Sequence, residues 1–191
     1  MTPDRLYFTE DDEANALIAR DPLALLIGFA LDQQVTVPTA FAGPLKLRQR
    51  LGTLDPRAIA DADPGELEEL FRRRPAIHRF PGSMARRVQE LAALVADEYG
   101  GDASRLWREA RDAADLRARI EALPGFGEMK VKSLGAVLSQ RFGVAVADGL
   151  VPDHPTLGVV DSPEKLVEYQ GWKREHKRQA AAAAAGGARS R

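Results

Sequence analysis

Prolines that directly follow a helix-capping residue recur along this 191-residue chain, and they constrain its fold more than any other feature. Aspartate and serine are preferred N-caps, and proline fits the first helical position, where a backbone N–H would have no intrahelical acceptor. Each such pair therefore predicts the start of a helix. The pairs are Asp21-Pro22, Asp55-Pro56, Asp63-Pro64 and, near the end, Ser162-Pro163 directly after Asp161.

Helical spacing of apolar residues follows most of these starts, and strand alternation does not. The segment 22–31 is apolar on nearly every side, as in a central core helix. Residues 144–146 are the only strand candidate. The sequence therefore predicts an all-α fold of about nine or ten helices, with a folded region over 1–178 and an Ala/Gly-rich disordered tail over 179–191, in which the alanine run at 180–185 is typical of a fraying helix end. A second helix is predicted with Pro38 in its first turn and its end at about Leu51. Further helices are predicted at 56–62, 64–73, 84–99 and 128–142, and from Asp112 and Pro163.

The chain contains no cysteine, which excludes disulfides, a cysteine nucleophile and a cysteine-ligated iron–sulfur cluster. Its three histidines lack partners at metal-ligand spacing, so no metal site is predicted. The net charge of -1 gives no sign of a polyanion partner, although residues 171–191 hold six Lys and Arg against one Glu. No segment is long and apolar enough to cross a bilayer, so we expect a cytoplasmic monomer without a membrane partner.

The segment L-P-G-F-G at 123–127 joins two predicted helices and carries the strongest chemical signal. Gly125 and Gly127 permit a tight turn and expose backbone N–H groups at the start of the second helix. Such N–H groups, with the positive end of the helix dipole, suit a phosphate. Lys130 and Lys132 follow and are predicted to add positive charge. The alternative is a helical hairpin whose glycines serve only packing.

The stretch L-P-G-F-G-E-M-K-V-K-S-L at 123–134 resembles the helix-hairpin-helix of DNA repair proteins. It most resembles the HhH-GPD superfamily of base-excision DNA glycosylases, and within it the type of 3-methyladenine DNA glycosylase II. The likeness extends over roughly residues 20 to 178, with Ser162-Pro163 and Trp172-Lys173 similar to that type's last helix. It implies a two-lobed, all-α HhH-GPD fold with the hairpin at 112–142.

Gln33 and Gln34 follow the first core helix and resemble the element that wedges into the duplex where the target base has left the stack. The resemblance makes Gln34 the wedge and Gln33 its neighbour. Amide groups can hydrogen-bond the orphaned base, which suits this role chemically. The alternative, left open by the sequence, is that these glutamines cap the end of the core helix.

The resemblance also implies one catalytic carboxylate in the loop after the second hairpin helix. Such a carboxylate stabilises the cationic sugar as the base departs and orients the attacking water. Asp153, in V-P-D-H, is the candidate, and Asp148, in D-G, is the alternative. A third possibility is that both are ordinary loop residues. Asp161 is expected to cap the last helix.

Two departures from the family pattern narrow the expected activity. Met129 stands where strand-cleaving members carry a lysine that forms a Schiff base with the sugar. Lys130, one residue on, is about 100° further around the helix. The lack of cysteine excludes the cluster-containing branch. The resemblance therefore implies a monofunctional glycosylase without cofactor that acts on double-stranded DNA containing a damaged or mismatched base.

Arg86 and Arg87 lie just after Ser83, which is predicted to begin a helix. They are expected to contribute a second phosphate contact, the alternative being a solvated basic face. Phe126 is expected to pack between the hairpin helices, so only its backbone N–H is assigned to DNA.

Two alternative functions stay open: a non-catalytic helix-hairpin-helix DNA-binding protein, and a helical interaction protein whose hairpin only packs.

Overall fold

The computed structural model of the protein describes residues 3–187. Within them it contains ten α-helices, two 3-10 helices and no strand, so the predicted all-α class is confirmed. In this range no single helix is long and apolar enough to span a membrane, and α1 with α2 passes only as a pair bent by 115°. The α-helices are α1 (Asp12–Arg20), α2 (Pro22–Leu31), α3 (Val37–Leu51), α4 (Pro56–Ala60), α5 (Pro64–Arg72), α6 (Pro81–Glu98), α7 (Arg105–Arg108), α8 (Ala113–Glu121), α9 (Glu128–Phe142) and α10 (Pro163–Gly187), and the 3-10 helices are Ala145–Leu150 and Leu157–Val159.

The aspartates that precede prolines cap their helices as predicted. The Asp21 carboxylate accepts hydrogen bonds from the N–H groups of Leu23 and Ala24, at 2.9 and 3.2 Å. Asp55 and Asp63 each accept one bond in the same way, three residues further on. These bonds satisfy N–H groups that the first helical turn leaves without a partner.

Two helix starts differ from the predictions. Helix α6 begins at Pro81 and not after Ser83, because proline itself is well suited to the first helical position. Helix α10 is capped by Ser162 and not by Asp161: the Ser162 hydroxyl accepts a bond of 3.3 Å from the N–H of Lys165. Ser162 directly precedes Pro163, the first helical residue, and so occupies the N-cap position, whereas Asp161 lies one residue further from the helix.

Three further segments are helical where the sequence patterns did not predict it. Helix α1 has an Asp11 cap but no proline, and α7 is a single turn without a side-chain cap. Helix α10 continues through the alanine run, where a fraying helix end was predicted, to Gly187, so residues 179–187 of the predicted tail are helical. Alanine has the highest helix propensity, which accounts for this extension. Residues 188–191 of the predicted tail lie outside the described residues.

The helices form two groups that meet at the end of α2. Every residue of α2 after its proline is buried, and α1, α3 and α6 pack against this helix. In the second group, α9 packs against α8 and both 3-10 helices, and α10 contacts the second of these. The Lys130 ammonium of α9 donates to the Ala30 carbonyl of α2 at 3.2 Å, so the start of α9 lies against the end of α2.

Candidate nucleic-acid interface

The hairpin between α8 and α9 closes on its own backbone. Gly125 has a φ of +78°, a left-handed conformation that favours glycine. The Phe126 N–H donates to the Leu123 carbonyl at 3.1 Å, and the Phe126 side chain is buried. The side chain therefore packs as expected, but the N–H that the sequence assigned to DNA is already bonded within the turn.

Other N–H groups of the hairpin have no acceptor within the described residues. They belong to Gly125, Gly127, Glu128 and Met129. The first N–H groups of a helix cannot bond within it, and they carry the positive end of its dipole. Gly127 has an ordinary extended φ of -95°, and a Cβ built on it would meet no atom within 4 Å. Neither conformation nor packing therefore requires glycine here, and the space at its Cβ position is open.

Arg87 connects the hairpin to the loop that follows α2. A Cβ on Gly125 would lie 2.5 Å from Nε of Arg87, so the arginine occupies the space that this glycine leaves. The Arg87 guanidinium also donates to Oε1 of Gln33. Arg87 therefore lies between two elements of the interface, whereas its neighbour Arg86 is exposed and has no ion pair among the described residues.

Gln34 is the one non-glycine residue with a positive φ, +58°, in the described part of the chain. A side chain in this conformation costs about 1–2 kcal/mol. Gln34 is exposed and makes no hydrogen bond with the described residues, whereas the amide of Gln33 is bonded to Arg87. Neither glutamine side chain bonds a carbonyl of α2, whereas the Gln33 backbone N–H donates to the Leu31 carbonyl at 2.7 Å. Such strain is typical of functional positions.

A buried histidine holds the backbone of this loop. His78 is 1% exposed, and its Nδ1 accepts a bond of 3.0 Å from the N–H of Phe80. Its Nε2 therefore carries the hydrogen and donates to the Gln33 carbonyl at 3.0 Å. Burial lowers the pKa of His78, with nearby arginines acting in the same direction. A neutral imidazole thus fixes the residue that directly precedes Gln34.

The two lysines predicted to add charge at the hairpin are engaged within the protein. The Lys130 ammonium, bonded to Ala30, lies 5.3 Å from the centroid of the Phe126 ring. Burial, with a smaller effect of Arg87, lowers the pKa of Lys130 to about 8. Lys132 forms an ion pair of 2.8 Å with Glu128, and this hydrogen bond lowers the pKa of Glu128. Lys130 therefore serves the junction between the helix groups.

Asp148 is held on the face of α9 that points away from this junction. Its carboxylate accepts a bond of 2.6 Å from the hydroxyl of Ser139. Ser139 is nine residues beyond Lys130 in α9, which is about 180° around the helix and about 14 Å along it. Since Lys130 faces the end of α2, Asp148 lies on the opposite side of α9.

Asp153 lies in the segment between the two 3-10 helices, where its side chain is exposed. The ring of the next residue, His154, stacks on Trp172 of α10 with centroids 5.8 Å apart and planes 13° from parallel. Helix α10 also carries Lys173, whose ammonium pairs with the Asp32 carboxylate at 3.6 Å. The segment that holds Asp153 and the loop after α2 therefore contact the same helix.

Asp32 and Tyr169 belong to this junction, although the sequence patterns did not single them out for it. The Asp32 side chain is only 16% exposed and directly precedes Gln33. Tyr169 is buried, and burial, with a further effect of Asp32, raises its pKa to about 12. The sequence offered one signal for these two residues: Asp32 directly precedes Gln33, which belongs to the element that resembles a wedge. Within the described residues, no group of three or more His, Asp or Glu side chains forms a metal site.

Comparison with known proteins agrees with the hairpin geometry. A family model described as HhH-GPD superfamily base excision DNA repair protein matches residues 27–183, which is most of the chain. No curated protein and no solved structure gives a significant match. The matched range begins within α2 and includes the Gln33–Gln34 loop, the hairpin and most of α10. The chain therefore belongs to the HhH-GPD superfamily of base excision DNA repair proteins.

Proposed function

We propose that this chain is a monofunctional DNA N-glycosylase that hydrolyses the bond between a damaged or mismatched base and its deoxyribose. Family membership implies base excision repair and a DNA substrate. The observation that carries the proposal is the set of unbonded N–H groups at the start of α9, together with the open space at the Cβ position of Gly127. A phosphate group is the ligand of DNA that such N–H groups accept.

The hairpin would bind the backbone on the 3′ side of the target nucleotide. Backbone N–H groups read no base sequence, so this contact positions the protein on any duplex. Gln34 would enter the stack when the target base is flipped out, and its amide would hydrogen-bond the orphaned base. The strained backbone of Gln34 and the fixed backbone of Gln33 support this role. Both direct the Gln34 side chain, whose amide is unbonded, away from the protein.

Asp153 is the carboxylate that we propose for the chemical step, with Asp148 as the alternative. It would stabilise the positive charge on the sugar as the base leaves, and it would orient water for attack. The stacking of His154 on Trp172 supports Asp153, because it ties this segment to the helix that also contacts the Gln34 loop. Met129, 70% exposed at the position of the family's Schiff-base lysine, supports water as the nucleophile.

Base release from defined duplexes tests the proposal. The duplexes carry uracil, hypoxanthine, 8-oxoguanine or an alkylated purine, and the product is an abasic site in an intact strand. Asp153→Asn is expected to lower the rate at least about a hundredfold, while Asp148→Asn, the matched control, retains it. The reverse pattern would transfer the role to Asp148. Strand cleavage that keeps pace with base release would contradict monofunctional chemistry.

A non-catalytic DNA-binding protein is the second candidate, and one observation favours it. The Asp153 carboxylate has no hydrogen-bond partner among the described residues, whereas catalytic carboxylates are usually held in place by such partners. Tight binding to an abasic-analogue duplex without base release from any lesion would support this candidate. In either case we propose a cytoplasmic monomer that acts on double-stranded DNA without a cofactor.

A further inference from the structure

A groove of about 210 Å³ lies between α10 and the residues that lead into α3. One wall consists of residues 35–37, which directly follow Gln34, and the other carries Lys173, Arg174 and Lys177. Val35, which is partly exposed, gives the first wall an apolar surface, and the three basic side chains give the second a positive charge. The groove is thus amphipathic and begins one residue after the proposed wedge.

Two of the three positive charges are uncompensated. Lys173 is paired with Asp32. Arg174 and Lys177 are exposed, and neither forms an ion pair with a described residue. The one acidic residue among residues 171–182, Glu175, is paired with Arg178. Arg174 and Lys177 are three residues apart and therefore project from the same face of α10.

We infer that this groove binds the phosphodiester backbone of DNA where the Gln34 loop leads into α3, as a second contact besides the hairpin. On one side of the loop, Gln33 is bonded to Arg87, which packs on Gly125 of the hairpin. On the other side, Val35 and Thr36 line the groove. The loop therefore lies between two anion-binding elements, as a wedge requires if the strand is to be held on both sides of the flipped nucleotide. The inference rests on the proposed function, since it takes DNA as the partner.

The chemistry of the groove suits a sugar–phosphate backbone better than other polyanions. Arg174 and Lys177 supply the charge for phosphates, and the partly exposed Val35 supplies an apolar surface for deoxyribose. Lys173, fixed by Asp32, connects this charge to the end of α2. An acidic protein segment or an anionic lipid surface would use the charges but not the position beside Gln34.

The salt dependence of DNA binding tests the inference. Each phosphate contact contributes about 0.9 to the slope of log K against log salt, which is about eightfold in affinity at about 0.1 M salt. Arg174→Gln and Lys177→Gln are each expected to reduce the slope by about 0.9. Lys165→Gln is the matched control: it removes one charge from α10 about 180° away from Arg174 and is expected to leave the slope unchanged.

The outcomes separate this inference from the proposed function. Wild-type slopes in both groove variants, combined with weakened binding by Gly127→Ala, would overturn the groove and leave the hairpin interface intact. Salt-independent binding by the wild-type protein, unaffected by Gly127→Ala, would overturn the proposed function itself. Binding to phosphatidylserine vesicles or polyglutamate that Arg174→Gln abolishes, with DNA affinity unchanged, would assign the groove to another polyanion and refute the inference.

Discussion

Replacing the two hairpin glycines one at a time separates the requirements of DNA binding from those of folding. Gly125 and Gly127 are two residues apart, but only Gly125 has a left-handed φ, at +78°. Only Gly125 has a neighbour, Arg87, in the space that a Cβ would take. We therefore expect Gly127→Ala to impair binding with little effect on stability, and Gly125→Ala to impair both.

The stability effect of Gly127→Ala is the sum of two small opposing contributions. Alanine is a poorer N-cap than glycine, which costs up to about 1 kcal/mol. Alanine also restricts the unfolded chain, which stabilises the folded state by about 0.4–1 kcal/mol. Since no atom lies within 4 Å of the new methyl group, no clash is added. The melting temperature is expected to stay within about 2 °C of wild type.

Gly125→Ala has a larger cost, because two contributions act in the same direction. The left-handed φ costs about 1–2 kcal/mol once a Cβ is present. Displacement of Arg87 breaks its bond to Gln33, which adds about 1 kcal/mol. For a chain of this size the sum lowers the melting temperature by roughly 5–10 °C.

The effect of Gly127→Ala on binding follows from what the methyl group obstructs. It is attached to the N-cap residue of the N–H groups that would bond one phosphate, and two charge-assisted bonds are worth about 3 kcal/mol together. The dissociation constant for an abasic-analogue duplex should therefore rise about a hundredfold. Fluorescence anisotropy measures the affinity, and thermal unfolding measures the stability.

A glycine far from the hairpin in the sequence provides the matched control. Gly52 caps α3 with a φ of +87° and open space around its Cβ position. Gly52→Ala should therefore lower the melting temperature by strain alone and leave the DNA affinity unchanged. Wild-type affinity in Gly127→Ala would refute the proposed phosphate site, and a large loss of stability in that variant would refute the structural reasoning about Gly127.

Three further predictions concern the junction between the helix groups. Gln34→Gly relieves the left-handed strain, so we expect a melting temperature that is higher by about 1–3 °C, together with a smaller preference for abasic-analogue over intact duplex in competition binding. The folded-state pKa of Lys130 is about 8, against an ordinary value of 10.5. The folded state therefore releases this proton first, and the free energy of unfolding rises between these pH values. Lys130→Met should remove this rise in urea unfolding, and an unchanged pH profile would contradict the prediction. Burial lowers the pKa of His78 below its ordinary value of 6.5. The stability that its neutral form provides is therefore present above pH 6.5 and lost as the pH falls below it. His78→Gln should lose less stability in acid than the wild type, and an equally steep loss would assign the dependence to other groups.

Local chemistry accounts for the parts of the fold that the sequence predicts. Asp21 and Asp63 act on N–H groups two or three residues away, so their caps can be identified without knowing the tertiary structure. The hairpin is local in the same sense, because Gly125 and the bonded Phe126 N–H lie within one turn. Helix α7, by contrast, is a single turn whose N-cap Ser104 bonds Asp102 and no N–H group of the helix, so no cap pattern predicts it, and it packs against α8.

The candidate site is less predictable because its contacts join distant parts of the chain. Arg87 meets Gln33 across 54 positions, and Lys130 meets Ala30 across 100. A sequence pattern shows that these residues are basic but not which partner they contact. For this reason the sequence predicted only that Lys130 adds positive charge at the hairpin, and not that its ammonium donates to the end of α2.

The distribution of ion pairs explains how a chain with a net charge of -1 is compatible with a DNA interface. Lys132 and Lys173 are neutralised by Glu128 and Asp32, so a simple count of basic residues near the interface overstates its charge. The groups left uncompensated are the hairpin N–H groups, which carry no formal charge, and a few exposed side chains such as Arg174. An interface of this kind depends on oriented dipoles at one site and on a small number of cations at another. The overall charge of the chain therefore says little about its affinity for DNA, and the arrangement of unpaired donors around Gln34 says much more.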